Sequence, residues 1–565
     1  MFKMALSQNK SYVHAPSLKP FIGLTMHEML EERVKKNPDR EMFIFLSDNE
    51  RVTFAEFKKR VVDLAAGFLL KLGLRRGDRI AVIGANHVEW PLITAAARAI
   101  GVGVANLLLG HTPQTFMNII SRVSCKALFI TRSPDTLYSM ACEMIPELSE
   151  SIPGDLNSKQ FPDLKKVVGA GSNCKSGTLN FDDISISGCE KEVAEAAKKV
   201  TIDDISHFNM TSGSTGTPKL VPYTHFTILN SYTFPPNQFD EEQINKLACI
   251  GNMAYVVATI MSQVQPLLFG TTSVFPSPTH TFEKFLQAVE AERCTFVYVM
   301  IDGVVDLLYS PLCDKYDLSS LKSGVTGGSP IPSVIFFELN KKLGIRLLNL
   351  YGSTETLCIS SLTVDDSPDV WNTSGRPLPN IEIQIVDEKG CPVEVGEKGE
   401  IWVRSPTAFR GYYGDIEKTK QTITENGWIK MGDVGKVNAD GYLTIVGRIK
   451  NIIIRRGVNV HPSEVESIVT THPAVNIAQV LGIPDYRVGE DVCVCVTLNE
   501  GYDVTEEELK TFFVGKMSDD IQPSYFLIFD SFQSGASGKV DRTKLQEMAI
   551  SRIELPETPY AELYN

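Results

Sequence analysis

The feature that most restricts how this chain can fold is a repeated change of hydrophobic period. Thr53 and Glu56 have the spacing of a capping box. Phe57, Val61, Leu64, Phe68 and Leu72 then recur every three or four residues, the stripe of an amphipathic helix. "GLRRGDR" turns the chain into "IAVIGAN", a short apolar strand. Helix, turn and strand recur over residues 95–109, 116–131 and 282–300. Such alternation predicts α/β layers with largely parallel sheets buried under helices.

From about residue 380 the texture changes. "IEIQIVDEKG", "GEIWVRS" and "GYLTIVGR" are short alternating strands with glycine turns. After "GRIKN", helices and strands mix again, and Thr505 and Glu508 cap a last long helix. The expected architecture is a large α/β domain over 1–447, its β-rich subdomain from about 350 to 447, and a small α+β domain over 448–565. The polar segment 147–199 reads as a surface insertion. A length of 565 residues is too great for one core, in keeping with several domains.

With 55 basic against 68 acidic residues, a net charge of −13 argues against nucleic acid as the main partner. Eleven scattered cysteines without a CxxC pair suit a reduced compartment rather than a disulfide framework or zinc site. Cys493 and Cys495 read as same-face strand residues. The run from 90 to 109 is interrupted by Arg98 and split by Gly101 and Gly103, so no membrane span is expected. "MFKMALSQNKSYVHAP" lacks a signal-peptide core and the arginine of a transit peptide, and the C-terminus is not S-K-L. A cytoplasmic address is expected, with the mitochondrion as alternative.

"MTSGSTGTPKLVPYTH", residues 210–225, gathers bare backbone, hydroxyls and one lysine. Gly213 and Gly216 let the backbone approach a ligand, and Thr211, Ser212, Ser214, Thr215 and Thr217 supply hydroxyls. Pro218 precedes Lys219, a point charge suited to phosphate. A Ser/Gly linker would have the same composition. A Walker A pattern cannot be laid over the run.

"TSGSTGTPK" resembles the phosphate loop of the adenylate-forming superfamily, which includes acyl-CoA synthetases, aryl-CoA ligases, luciferases and adenylation domains. Further segments follow in the family's order: "GGSPIP" at 327–332, "NLYGSTET" at 349–356, "GWIKMGDVG" with Asp433, "GRIKNIIIRRGVNV" with Arg448, and "SGASGKVDR" with Lys539. The resemblance implies that residues 211–219 cradle the β- and γ-phosphates of ATP. It places Gly327, Gly328, Ser329 and Pro330 by the adenine, Tyr351 stacked on the base, and Asn349, Gly352 and Ser353 around the nucleotide. Thr354 would donate to the α-phosphate, and Glu355 would supply oxygen to Mg²⁺. Asp433 would take the ribose hydroxyls and Arg448 the ribose or phosphate side. Lys539 would draw the substrate carboxylate and α-phosphate together, on a small domain pivoting at Lys450, with Gly457 leaving room for the pantetheine arm of coenzyme A. Unaided, Asp433 reads as a turn residue, Tyr351 as core and Lys539 as a solvated charge.

Departures from the pattern cluster on the acyl side. Asn252 stands where relatives carry histidine, Ile301 and Asp302 where Pro-Thr is frequent, and Leu220 replaces a glycine. The expected activity is an ATP- and Mg²⁺-dependent carboxylate–CoA ligase forming an acyl-adenylate. "MIDGVVDLL" resembles medium-chain acyl-CoA synthetases and favours an aliphatic acid. A coumarate-type aryl ligase, an adenylation enzyme serving a carrier protein and a catalytically weakened nucleotide-binding paralogue are the alternatives.

Overall fold

The architecture is that of a computed structural model, which describes residues 9–17, 19–109, 111–133, 136–211, 219–231, 244–328, 333–455, 458–485, 489–517, 522–534 and 539–553. The chain divides into two compact units. One comprises residues 14–382 and 403–429, the other residues 1–13, 383–402 and 430–565.

The larger unit is built on two sheets. Seven strands run in the order Lys219–Thr224, Ile205–Thr211, Gly103–Leu107, Arg79–Ile83, Ala127–Ile130, Lys166–Gly169 and Leu179–Asn180. All neighbours are parallel except the first pair. The expected helix–strand alternation is present. Helix Phe54–Leu70 starts at a Thr53–Glu56 capping box and precedes strand Arg79–Ile83. Helix Pro113–Val123 precedes Ala127–Ile130. The apolar run at 90–109 divides into helix Glu89–Ala99 and strand Gly103–Leu107. Gly101, at φ +74°, makes the break in a left-handed conformation that glycine adopts without strain. No helix among the described residues is long and apolar enough to cross a membrane.

The segment 147–199 differs from its reading as a surface insertion. Its strands Lys166–Gly169 and Leu179–Asn180 extend the seven-stranded sheet, and Leu156, Phe161 and Leu164 are buried in that sheet's core. Lys166–Gly169 lies inside the sheet and only Leu179–Asn180 is at its edge; a few buried apolar residues such as Val167 and Val168 anchor the segment, and the rest of it is polar.

The second sheet has nine strands, from Arg376–Pro377 through Leu357–Ser361, Arg346–Ser353, Ser323–Gly327, Phe296–Tyr298, Lys246–Ala248, Thr272–Phe275 and Glu41–Phe45 to Glu50–Thr53. Its middle is parallel and its two ends antiparallel.

In the other unit, strands Tyr12–His14, Glu382–Val386, Gly399–Arg404, Ile429–Val437 and Leu443–Arg448 form a five-stranded sheet, the expected β-rich texture. Its C-terminal part pairs Val475–Asp485 with Gly489–Leu498 along ten residues. That sheet is covered on both faces, and the side-chain period of two divides the cover. Val492, Val494 and Val496 pack with Val465, Val469, Leu509 and Phe513. Cys493 and Cys495 pack with Leu545 and Ala549. The two thiols share a face as expected, 3.9 Å apart. Burial of both faces explains why "DVCVCVTL" is a continuous apolar run.

Candidate functional site

The phosphate-loop candidate begins and ends on paired strands. Ile205–Thr211 and Lys219–Thr224 are antiparallel, with Thr211 and Lys219 as register partners. Ser212, Gly213, Ser214, Thr215, Gly216, Thr217 and Pro218 lie outside the described residues. The pairing brings the two described ends of the loop side by side. The Thr211 hydroxyl oxygen is buried, without a hydrogen-bond partner among the described residues. The Lys219 ammonium donates to the Tyr412 hydroxyl at 3.5 Å and lies 4.9 Å from the centre of its ring.

Thr354 and Glu355 sit on the turn joining strands Arg346–Ser353 and Leu357–Ser361. The register slips between Tyr351 and Gly352. A Cβ at Gly352 would meet the Leu357 carbonyl oxygen at 1.8 Å, so only glycine fits this crossing. The Ser353 amide donates to the Thr356 hydroxyl at 3.2 Å, closing the turn. Two outside groups fix it. The Tyr223 hydroxyl donates to the Thr354 carbonyl at 2.5 Å, and the Phe409 amide to the Glu355 carbonyl at 2.9 Å.

A third contact reaches the carboxylate itself. The Tyr412 hydroxyl donates to Glu355 Oε1 at 2.6 Å. Burial first, and the Glu355 charge second, push the Tyr412 phenol far above its ordinary value, so it stays a donor at physiological pH. Tyr223 is raised for the same two reasons. Sequence reasoning missed both tyrosines. Tyr412 is 57 residues from Glu355, and no local period marks such a contact.

Gly327 ends strand Ser323–Gly327, where a Cβ would meet the Leu350 carbonyl oxygen at 2.4 Å. Gly328 follows at φ +83°. Ser329 and Pro330 lie outside the described residues. Asn349 donates from its side-chain amide to the Thr373 carbonyl at 3.3 Å, which ties it to the sheet edge. Tyr351 is half-buried opposite Ser360. Asn252 accepts from the Ala254 amide at 2.8 Å and donates to the Gly84 carbonyl at 3.4 Å, the contacts of a turn-forming side chain. The side chain of Asp302 lies outside the described set.

A second cluster belongs to the other unit. Asp433 and Arg448 are register partners on adjacent strands, and Arg448 Nε meets Asp433 Oδ1 at 2.7 Å. Lys539 completes the cluster. The residue as a whole is exposed, so its desolvation is partial. Desolvation first and the Arg448 charge second hold its ammonium below the ordinary lysine range, while Asp433 opposes them. Lys450 is exposed on the 3₁₀ turn Ile449–Asn451. Gly457 and Arg456 lie outside the described residues. Arg455 is engaged in structure: its Nε meets Asp491 Oδ1 at 3.0 Å and its Nη1 donates to the Gln522 carbonyl at 2.8 Å.

Comparison with known proteins shows which family the chain belongs to. The profile of the AMP-binding enzyme family matches residues 30–413, and that of the AMP-binding enzyme C-terminal domain matches residues 464–539. The chain belongs to the AMP-binding enzyme family. It is 34% identical over 558 residues to the mitochondrial medium-chain acyl-CoA ligase ACSF2 of Danio rerio, covering 96% of this chain and 91% of the relative. Against ACSF2 of Homo sapiens the identity is 30%, with the same two coverages. Among solved structures, the amide bond synthetase McbA of Marinactinospora thermotolerans superposes with a TM-score of 0.79 at 26% identity, covering 93% of this chain and 99% of that one. Membership in the adenylate-forming superfamily thus agrees with the sequence resemblance, and ATP, Mg²⁺ and coenzyme A are the co-reactants of its acyl-CoA ligases.

The donor set fits Mg²⁺. Among the described residues no group of three His, Cys, Asp or Glu could hold a metal alone. Glu355 offers a single carboxylate near a lysine. That suits an ion which keeps its waters and binds chiefly through substrate phosphates.

Proposed function

We propose that this AMP-binding enzyme is an AMP-forming acyl-CoA synthetase acting on medium-chain aliphatic acids. The near-full-length likeness to ligases of that name carries the reading. In the first half-reaction a carboxylate oxygen bonds to the α-phosphorus of ATP, and the bond to pyrophosphate breaks. In the second, the sulfur of coenzyme A bonds to the acyl carbon, AMP leaves with the electron pair, and the thiol proton passes to solvent.

The residues take their parts in that scheme. Residues 211–219 hold the terminal phosphates; the unpartnered Thr211 hydroxyl and the Lys219 ammonium support this. Mg²⁺, held by Glu355 and the phosphates, would withdraw charge from the leaving pyrophosphate. Tyr412 keeps Glu355 in one orientation for that task. Thr354 donates to the α-phosphate from a turn fixed at its carbonyl by Tyr223. Gly327, Gly328, Ser329, Pro330, Asn349, Tyr351, Gly352 and Ser353 shape the adenine side by close backbone approach and stacking. Asp433 accepts from the ribose hydroxyls, with Arg448 orienting it. Lys539 neutralises the two anions as they meet. We place the pivot of the mobile C-terminal domain at Lys450, with a division into 1–447 and 448–565 and Gly457 beside the pantetheine arm.

The deciding experiment is ATP–pyrophosphate exchange with short, medium and long straight-chain acids and with aromatic acids, followed by acyl transfer to coenzyme A. Exchange should peak with medium-chain acids and acyl-CoA should accumulate. Exchange with none of the acids, or with aromatic acids alone, refutes the reading. The likeness to an amide bond synthetase favours one second reading, transfer to an amine; amide without thioester would select it. The relatives' names favour the mitochondrial alternative over the cytoplasmic address, and subcellular fractionation tests it.

A further inference from the structure

Helix Glu89–Ala99 is buried over almost its whole length, and its last turn carries Arg98, which is 2% exposed. Arg98 Nη1 donates to Gln263 Oε1 at 2.8 Å. Nε and Nη2 are buried with no hydrogen-bond partner among the described residues. Among the described residues no carboxylate pairs with Arg98. Nearby Arg33 shows the contrast: its Nε donates to the Leu267 carbonyl at 3.0 Å and its Nη2 to the Leu268 carbonyl, which uses its donors at a helix end.

A cavity of about 30 Å³ opens beside Arg98, lined also by His27, Leu30, Met42, Phe57 and Gln263. Its polar lining offers donors. Gln263 Oε1 already accepts from Arg98 and from the Thr94 hydroxyl at 3.1 Å, which fixes the amide orientation and leaves Nε2 unpartnered. The charged and titratable groups that feel Arg98 add no negative charge. His207 and His225 are held neutral, by burial first and by Arg98 second. Burial lowers the guanidinium itself to about 9, so it remains charged at neutral pH.

We propose that this cavity is a binding site for one small monovalent anion of halide size, held by Arg98 Nε and Nη2 with Gln263 Nε2. A water molecule would fill the space and accept from these donors, but it would leave the buried charge uncompensated. An isolated ion in a protein interior costs several kcal/mol even after relaxation. The apolar walls of Met42 and Phe57 and the space for about one water-sized body exclude hydrated or multivalent anions.

Crystals of the wild-type protein soaked in bromide should show an anomalous peak within hydrogen-bond distance of Arg98. In solution, the melting temperature should rise saturably, by a few degrees, with sodium chloride relative to sodium gluconate at equal ionic strength. Arg98→Met should abolish that difference. Formate in a gluconate background is the third arm. The proposal is overturned if the bromide peak is absent, if chloride and gluconate act alike on the wild type, or if formate stabilises where chloride and bromide do not. Should Arg98→Met fail to fold, the two wild-type measurements decide alone.

Discussion

Tyr412→Phe tests the contact that the sequence did not reveal. The substitution removes one oxygen and keeps the ring, so the edge-on packing against Phe409, with centroids 4.9 Å apart, and the Lys219 contact to the ring face survive. What is lost with the hydroxyl, on a side chain only 6% exposed, is the 2.6 Å hydrogen bond to Glu355 Oε1 and the longer 3.5 Å one that Lys219 donates to it. A hydrogen bond to a charged group contributes about 1.5–3 kcal/mol, and burial leaves little water to replace the donor. At about 1.4 kcal/mol per decade, kcat/KM for MgATP in the exchange reaction should fall roughly 10- to 100-fold. The melting temperature should move little, since the packing is kept. Glu355→Gln and the double variant complete a cycle. If the hydroxyl acts through the carboxylate, its removal costs far less once the carboxylate is gone, and the coupling energy exceeds about 0.5 kcal/mol. Parent-like kcat/KM in Tyr412→Phe, or additive losses in the double variant, would refute the reasoning.

Four other outcomes follow from the structure. Lys539→Ala should abolish exchange while ATP binding by calorimetry persists; in Arg448→Gln, loss of the repelling cation should move the alkaline limb of the exchange profile to higher pH. His225, held neutral by burial down to about 3, should make stability fall on acidification. The unfolded histidine binds a proton below about 6.5 and the folded one does not, so stability is present above that pH and is lost below it by about 1.4 kcal/mol per unit. His225→Asn, which can keep the acceptor for the Met26 amide, should flatten the melting curve between pH 7 and 5, and an unchanged slope would count against the assignment. Gly352→Ala should disrupt the bulge, and with it exchange activity, because its Cβ has no room against the Leu357 carbonyl; retained activity and stability would show that the crossing relaxes.

Much of the fold was legible because its signals are local. The Thr53–Glu56 and Thr505–Glu508 capping boxes form as spaced, since each is satisfied within one turn of helix. The same-face cysteines and the break at Gly101 follow from strand period and from glycine's freedom at positive φ. Segment 147–199 reads as a loop because its strands, Lys166–Gly169 inside the sheet and Leu179–Asn180 at its edge, are too short to show a strand period. The order of six motifs pointed to an adenylate-forming enzyme before any distance was known. Tertiary structure alone decided which groups meet: Tyr412 on Glu355, Tyr223 under Thr354, Lys539 near Asp433 and Arg448, and Arg98 left without a counter-charge. The physical reason is the range of the forces involved. Caps, periods and turns are written within a few residues of the chain. Hydrogen bonds and Coulomb interactions act across space between segments that the sequence keeps far apart.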